Sequence, residues 1–230
     1  MKKRHLGIFA FVLLAFLLAS SCATVSNKPP RITFRGKFLE DRSMWPKHRI
    51  KKHYGIDYYT APGTPIIAAA DGTVVQIHDR DIIMPDICYG IWVTIGHGHY
   101  RGKILYAFYG HFEKLFVSIN DRVKRGQMIG LAADLPARFA RIKHMEPHLH
   151  FELFQPKEGF GLSGDLQLVL KTGDPTIVKT HYNPDDFWLG GKPQCFDSNK
   201  DYSSYTNLEF THPVACGKYG RVLLKRLKNK

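Results

Sequence analysis

The sequence predicts a mainly β protein, a small antiparallel sheet with an N-terminal leader and a C-terminal extension. Three observations predict it. From about Tyr54 apolar residues recur with period two rather than 3.6. The runs are rich in β-branched and aromatic side chains, and turn pairs such as Asp71-Gly72 separate them. At 230 residues the chain suits one core with trimmings. Its 44% hydrophobic and 23% charged residues exclude a collagen, a wholly disordered polymer and a multi-span membrane protein. A formal charge of +13 favours an anionic partner, or simply a solvated basic surface.

The leader comes first. Lys2, Lys3 and Arg4 precede the apolar run 6–18, and Ala19-Ser20-Ser21-Cys22 follows, the layout of a secretory signal. The run is shorter than the about 20 residues a spanning helix needs, so cleavage and export are expected. Leu17-Leu18-Ala19-Ser20-Ser21-Cys22 resembles a bacterial lipobox, which implies a lipid anchor on Cys22. That box usually has Leu where Ala19 stands, so ordinary cleavage near Ala23 stays open. Ala23 after the cysteine resembles outer-membrane sorting, giving a periplasmic, lipid-anchored expectation. The segments read as a signal over 1–22, a tether and lead-in over 23–45, a body over 46–190 and a basic extension over 191–230. Ser26, Asn27, Lys28, Pro29 and Pro30 suit the tether.

Within the body, 65–70, the pair Asp71-Gly72 and 73–77 read as a hairpin. The stretches 90–95 and 103–112 read as further strands. Gly126 and Gly130 discourage a helix over 121–130. Then come a strand over 147–154, a strand-like run over 166–170 and a turn at Asn183-Pro184-Asp185-Asp186-Phe187. Beyond Gly190-Gly191 the composition turns polar and basic; the amphipathic end over 221–228 suits either contact with an anionic membrane or docking on the body. With Cys22 given to lipid, Cys195 and Cys216 are expected to pair, worth about 3 kcal/mol for such a loop. Cys88 is left as a buried thiol.

Two motifs carry chemistry. His53-Tyr54-Gly55-Ile56-Asp57 puts an imidazole and a carboxylate four apart, on one face if the segment is extended. In Pro147-His148-Leu149-His150-Phe151-Glu152-Leu153 the alternation is strict: His148, His150 and Glu152 share one face and the apolar residues the other. His53, Asp57 and one of the paired histidines suit a three-ligand catalytic zinc with a position left for water. Strand spacing does not tell which of His148 and His150 is the ligand. His111 is a candidate for proton transfer or oxyanion stabilisation.

The ordered blocks around His53-Tyr54-Gly55-Ile56-Asp57, Ala61-Pro62-Gly63-Thr64-Pro65, Ala68-Ala69-Ala70-Asp71-Gly72-Thr73-Val74, Tyr109-Gly110-His111, Gly126-Gln127-Met128-Ile129-Gly130 and Pro147-His148-Leu149-His150-Phe151-Glu152 resemble those of the lysostaphin and LytM-type zinc metallopeptidases. The resemblance runs from about Lys52 to Phe154, with Asn183-Pro184 resembling the family's closing pair. It implies a small antiparallel metallopeptidase domain that cleaves peptidoglycan peptides. It implies Zn2+ held by His53, Asp57 and His150, with His111 and His148 as the non-ligand catalytic histidines. Peptidoglycan is then the expected partner, and nucleic acid is not. The stretch 132–146 departs from the family's Gly/Ser/Thr-rich turn, Gly90-Ile91 replaces its usual Gly-Asn, and 79–88 resembles an enlarged loop. These loops bear on which bond is cut. The rival readings are a non-catalytic lipoprotein regulating other wall hydrolases and a basic structural tether.

Other residues are given blander roles. His97 and His99 read as solvated on a hairpin turn, and His78, His181 and His212 have no partner in the sequence pattern. His144 is a weaker groove candidate. Arg138, Arg141 and Lys143 read as a solvated face, and Trp45, Trp92 and Trp188 as packing.

Overall fold

The structure is a computed structural model; it describes residues 34–41, 52–78, 83–84, 87–88, 90–135, 146–162, 164 and 166–229. The leader, Cys22, most of the tether and Trp45 lie outside the described residues, as do His144, Arg138, Arg141, Lys143, and the side chain of Cys88. Among the described residues no helix is long and apolar enough to cross a membrane.

The expected mainly β architecture is present. The strands are β1 (Phe34–Gly36), β2 (Ile56–Tyr59), β3 (Pro65–Ile67), β4 (Gly72–His78), β5 (Ile83–Met84), β6 (Ile87–Cys88), β7 (Ile91–Tyr100), β8 (Lys103–Leu115), β9 (Arg122–Val123), β10 (Met128–Ala132), β11 (His148–Pro156) and β12 (Lys179–Tyr182). The main sheet is open and antiparallel, ordered β1-β2-β11-β8-β7-β4-β9, with β12 on β11 and β10 joining β8 to β3. β5 and β6 form a separate small hairpin within the enlarged loop. Alternation sorts the long strands: Leu149, Phe151 and Leu153 of β11 enter a core with Val93, Ile95, Leu105, Ala107 and Tyr109, leaving the opposite parity for the site.

Two elements correct the sequence expectation. No hairpin joins β3 to β4: β3 pairs with β10, and β4 with β7 and β9. The Asp71 carboxylate is taken up instead by the Arg125 N–H at 2.8 Å and the Lys124 ammonium at 2.7 Å, so Asp71-Gly72 ties two loops rather than turning one ribbon. The run over 166–170 is not a strand but belongs to helix α1 (Leu166–Thr172). Leu166, Val169 and Leu170 also fit the i, i+3, i+4 spacing of a helix, and short apolar runs do not separate the two periods. The turn at Asn183 is as expected: its side chain accepts from Asp185 N–H and caps a 3-10 turn over Pro184–Phe187.

The C-terminal stretch is folded onto the body. Ile67 N–H donates to Pro213 O and Ala215 N–H to Pro65 O, so this segment covers the free edge of β3. Phe210 is fully buried in the main core, and a Cys195–Cys216 disulfide closes the loop behind it, as the cysteine pattern predicts. Helix α2 (Gly217–Lys228) follows. It buries Leu223 and Leu224, worth roughly 1.5–3 kcal/mol each, and keeps Lys218, Arg221, Lys225, Arg226 and Lys228 outward. Its apolar stripe is thus occupied by the protein itself.

Candidate metal centre

The sheet register assembles the site. On β11, His150 lies opposite Asp57 of β2 on one side and Gly110 of β8 on the other. All three fall on the face that turns away from Phe151. Gly110 is required by close approach: a Cβ there would stand 2.7 Å from the Phe108 ring and 3.6 Å from His150 Cβ.

His53 arrives differently from the sequence expectation. It sits before β2 rather than in a continuous strand with Asp57, because the chain bends at Gly55. The N-terminal segment fixes it there. Leu39 N–H donates to His53 O, His53 N–H donates to Glu40 O at 3.0 Å, and the ring's Nδ1–H donates to Lys37 O at 2.9 Å. That last bond sets the tautomer and leaves the Nε2 lone pair facing Asp57.

The three predicted ligands converge. His53 Nε2 is 3.0 Å from Asp57 Oδ1 and 3.0 Å from His150 Nδ1, and His150 Nδ1 is 2.9 Å from the same Asp57 oxygen. All three residues are buried. A tetrahedral zinc with bonds of about 2.0–2.1 Å needs ligand atoms about 3.3–3.4 Å apart. The observed triangle opens to that size with shifts of a few tenths of an ångström, and two neutral imidazoles plus one carboxylate are the donor set such an ion takes. The residues fit the metal.

His148 and His111 stand at the rim of this triangle. His148 Nδ1–H donates to Glu146 O at 2.8 Å, which turns Nε2 inward, 3.8 Å from Asp57 Oδ1. The His111 ring meets the His148 ring edge-on at 4.5 Å and the His150 ring at 6.3 Å. Every residue of the predicted set is therefore in one cluster.

Electrostatics follow from burial and contact. Burial by itself would raise the Asp57 carboxyl, but His148, His150 and His53 overturn that and hold it well below the usual carboxylate range. For His150 burial works against the charged form, yet Asp57 and Glu152 lift it to about 9. The metal-free cluster thus keeps a cation where a divalent ion would otherwise sit.

Sequence reasoning missed three supports. Lys37 contributes only a backbone carbonyl, which leaves no signature. Alternation puts Glu152 on the site face without assigning it a task; its Oε2 lies 3.5 Å from His150 Nε2. His181, unassigned in the sequence, is 3.1 Å from Glu152 Oε1. His78 also gains a partner, stacking on Trp92 at 5.4 Å, and Trp92 continues to Phe108 and Phe108 to His150. This aromatic row crosses four strands beside the triangle, with Trp92 half-buried within it, and Trp188 is buried as expected. His97 corrects another expectation: it is not solvated on a turn but lies within β7, its Nδ1–H donating to Asp71 O at 2.8 Å. His99 is exposed.

An open antiparallel sheet with a buried His-Asp-His triangle and two further histidines beside it defines a candidate metal centre. Residues 51–160 match Peptidase family M23 and form a domain of that family. Curated relatives include glycyl-glycine endopeptidase ALE-1 of Staphylococcus capitis, 31% identical over 44% of this chain and 24% of that protein. Another is peptidoglycan DD-endopeptidase ShyA of Vibrio cholerae, 33% identical over 46% of this chain and 21% of that one. The match thus spans about a fifth to a quarter of these relatives' lengths. Among solved structures, LytU is 24% identical, covering 68% of this chain and 84% of that chain, with a TM-score of 0.45.

Proposed function

We propose that this chain is a zinc-dependent endopeptidase that hydrolyses amide bonds in peptidoglycan peptides during wall remodelling. The observation that carries the reading is the triangle of His53 Nε2, Asp57 Oδ1 and His150 Nδ1, with ligand atoms 2.9–3.0 Å apart. The M23 match over residues 51–160 and the endopeptidase activities named for ALE-1 and, on peptidoglycan, for ShyA support it. The two names specify different bonds, so what carries across is their common class, endopeptidase cleavage of an amide, with the wall peptide suggested by ShyA.

Zinc, when bound, would acidify a water and polarise the scissile carbonyl. The protein's own groups do the rest. His53 and His150 present lone pairs whose direction is set by Lys37 O and Glu152. His148, with Nδ1–H committed to Glu146 O, turns Nε2 inward as the nitrogen that accepts the proton of an attacking water. His111, packed on His148, is placed to donate toward the oxygen on which charge develops. The row of Phe108, Trp92 and His78 supplies an apolar floor along which an extended peptide lies. Export and a lipid anchor on Cys22 complete the reading, placing the domain in the periplasm at the outer membrane, next to its substrate.

The test is a digest of purified sacculi by the wild-type protein and by His150→Ala and His148→Ala, with the released fragments read by mass spectrometry and bound zinc measured. Wild type releases peptide-cleaved fragments and both variants release none; only His150→Ala loses zinc. Equal release from all three proteins overturns the enzymatic reading.

A further inference from the structure

We propose that Glu152 and His181 form a bridge that holds the His150 ring in the orientation and tautomer presenting Nδ1 to the metal. The inference rests on the zinc reading above. His181 belongs to β12 and lies beyond residues 51–160, so a strand outside the M23 match positions a ligand inside it.

The geometry runs through four residues. His150 must turn one nitrogen toward Asp57 and the other away, and the one turned away, Nε2, meets Glu152 Oε2 at 3.5 Å. The second carboxylate oxygen, Oε1, lies 3.1 Å from His181 Nε2. Strand pairing explains the reach: His181 lies opposite Phe154, which makes it the diagonal neighbour of Glu152 on the same face. The His181 ring is held in turn against Tyr54 with centroids 4.5 Å apart, and Tyr54 follows His53 directly in the chain. Glu152 is buried, and the His181 side chain is 3% exposed.

Two imidazoles on one buried carboxylate make a directional device. An ionised carboxylate only accepts, so it favours the ring states in which the facing nitrogens, 3.5 and 3.1 Å away, carry N–H. With Nε2–H of His150 committed to Glu152, Nδ1 carries the lone pair the metal needs. His181 occupies the other oxygen and stops the carboxylate from rotating away. His53 obtains the same service from a backbone carbonyl, Lys37 O. The two histidine ligands are therefore oriented from opposite ends of the folded chain. Such outer partners are typically worth about 10–100-fold in metal affinity.

The bridge separates from a merely structural role by metal affinity measured on full-length protein, using competition with a chromophoric zinc chelator. Glu152→Leu is expected to weaken zinc about 10–100-fold and His181→Phe about tenfold. Glu152→Gln, whose amide oxygen still accepts from His150, and His181→Gln, whose amide still donates, are expected to recover most of the loss. Long-range nitrogen–proton spectra of the zinc-loaded protein should show one His150 tautomer in wild type and broadened or mixed ring signals in Glu152→Leu. Melting of the metal-free variants controls for folding. Wild-type affinity in Glu152→Leu and His181→Phe, or losses that only follow lower metal-free melting, overturns the bridge alone. A wild-type chain that takes up no zinc overturns the functional reading and the bridge together.

Discussion

His111 and His148 meet edge to face, ring centroids 4.5 Å apart, although regular alternation along β8 would put His111 on the core side. Gly110 faces the site opposite His150, so its neighbour should point the other way. A register shift resolves this. Ile91 pairs with Phe112 and Trp92 with Gly110, which leaves His111 as the extra residue of a bulge, with φ at 69°. Bulges of this kind re-aim one side chain.

The left-handed backbone at His111 gives a direct test, because a non-glycine residue there carries roughly 1–2 kcal/mol of strain. His111→Gly and His111→Ala should both lose at least about 100-fold in fragment release. Between the two, the glycine variant should be more stable by about 1 kcal/mol in denaturant unfolding. An alanine variant as stable as the glycine one would mean that the conformation at this position relaxes on substitution.

How much of this was legible depended on where each group's partner lies in the chain. The alternation of His148, His150 and Glu152 is a local property of a strand, so one face of β11 could be read directly. The use of His111 could be named but its route could not, because the bulge arises from pairing with β7. His53 was expected in a strand with Asp57; the bend at Gly55 and the clamp from Lys37, Leu39 and Glu40 come from a segment that sequence periodicity does not reach. His181 and Glu152 are 29 positions apart, joined only by β12 docking on β11. Asp71-Gly72 looked like a turn because its composition is that of a turn; Arg125 and Lys124 decide otherwise.

Acid–base behaviour of the metal-free site follows from His150, which Asp57 and Glu152 lift from 6.5 to about 9 against burial. A raised folded-state value gives stability that is complete below pH 6.5 and lost as pH climbs through about 9. Metal-free protein should therefore lose on the order of 3 kcal/mol between pH 6.5 and 9.5. Zinc must displace that proton, so its affinity should rise by up to about tenfold per pH unit in the same window. Chelator competition and melting at each pH check both; a flat metal-free profile with pH-independent zinc affinity would contradict them.

His212 behaves oppositely. Burial drives it down to about 4, only partly opposed by the Nδ1 bond to Val214 O at 3.1 Å, and its ring packs edge-on against Tyr58 at 4.4 Å. A lowered histidine gives stability that is complete above pH 6.5 and lost as pH falls through about 4. Unfolding free energy should fall by on the order of 3 kcal/mol across that range on account of this residue. His212→Asn, whose amide can still donate to Val214 O but does not titrate, should show a shallower acid limb in urea titrations. An unchanged limb would remove His212 as the cause.

The Cys195–Cys216 disulfide closes a loop of sequence separation 21 that includes Phe210 in the core and ends at α2. Constraining a loop of this size in the unfolded chain is worth about 3 kcal/mol. Replacing both cysteines by serine should lower the unfolding free energy by about that amount, with a smaller loss of metal affinity than of stability, since the loop contributes no ligand. Guanidinium unfolding read by tryptophan fluorescence measures the first, and zinc competition the second.

Gly55 approaches the His150 side chain more closely than Gly110 does. A Cβ there would come 2.6 Å from Phe151 O and 2.8 Å from His150 Cε1, and neither can yield freely, one being sheet backbone and the other the ligand ring. Gly55→Ala should therefore push the His150 ring off the triangle, and with it the Nδ1 now 3.0 Å from His53 Nε2. Zinc affinity should drop by at least about tenfold, comparable with loss of an outer-shell partner, with a stability loss of about 1–3 kcal/mol from overpacking. Because alanine adds no polar group and removes no ligand, weakened zinc in a folded Gly55→Ala protein would trace the affinity to ring placement alone. Undiminished binding would show that the His150 side chain has more room than the contacts allow.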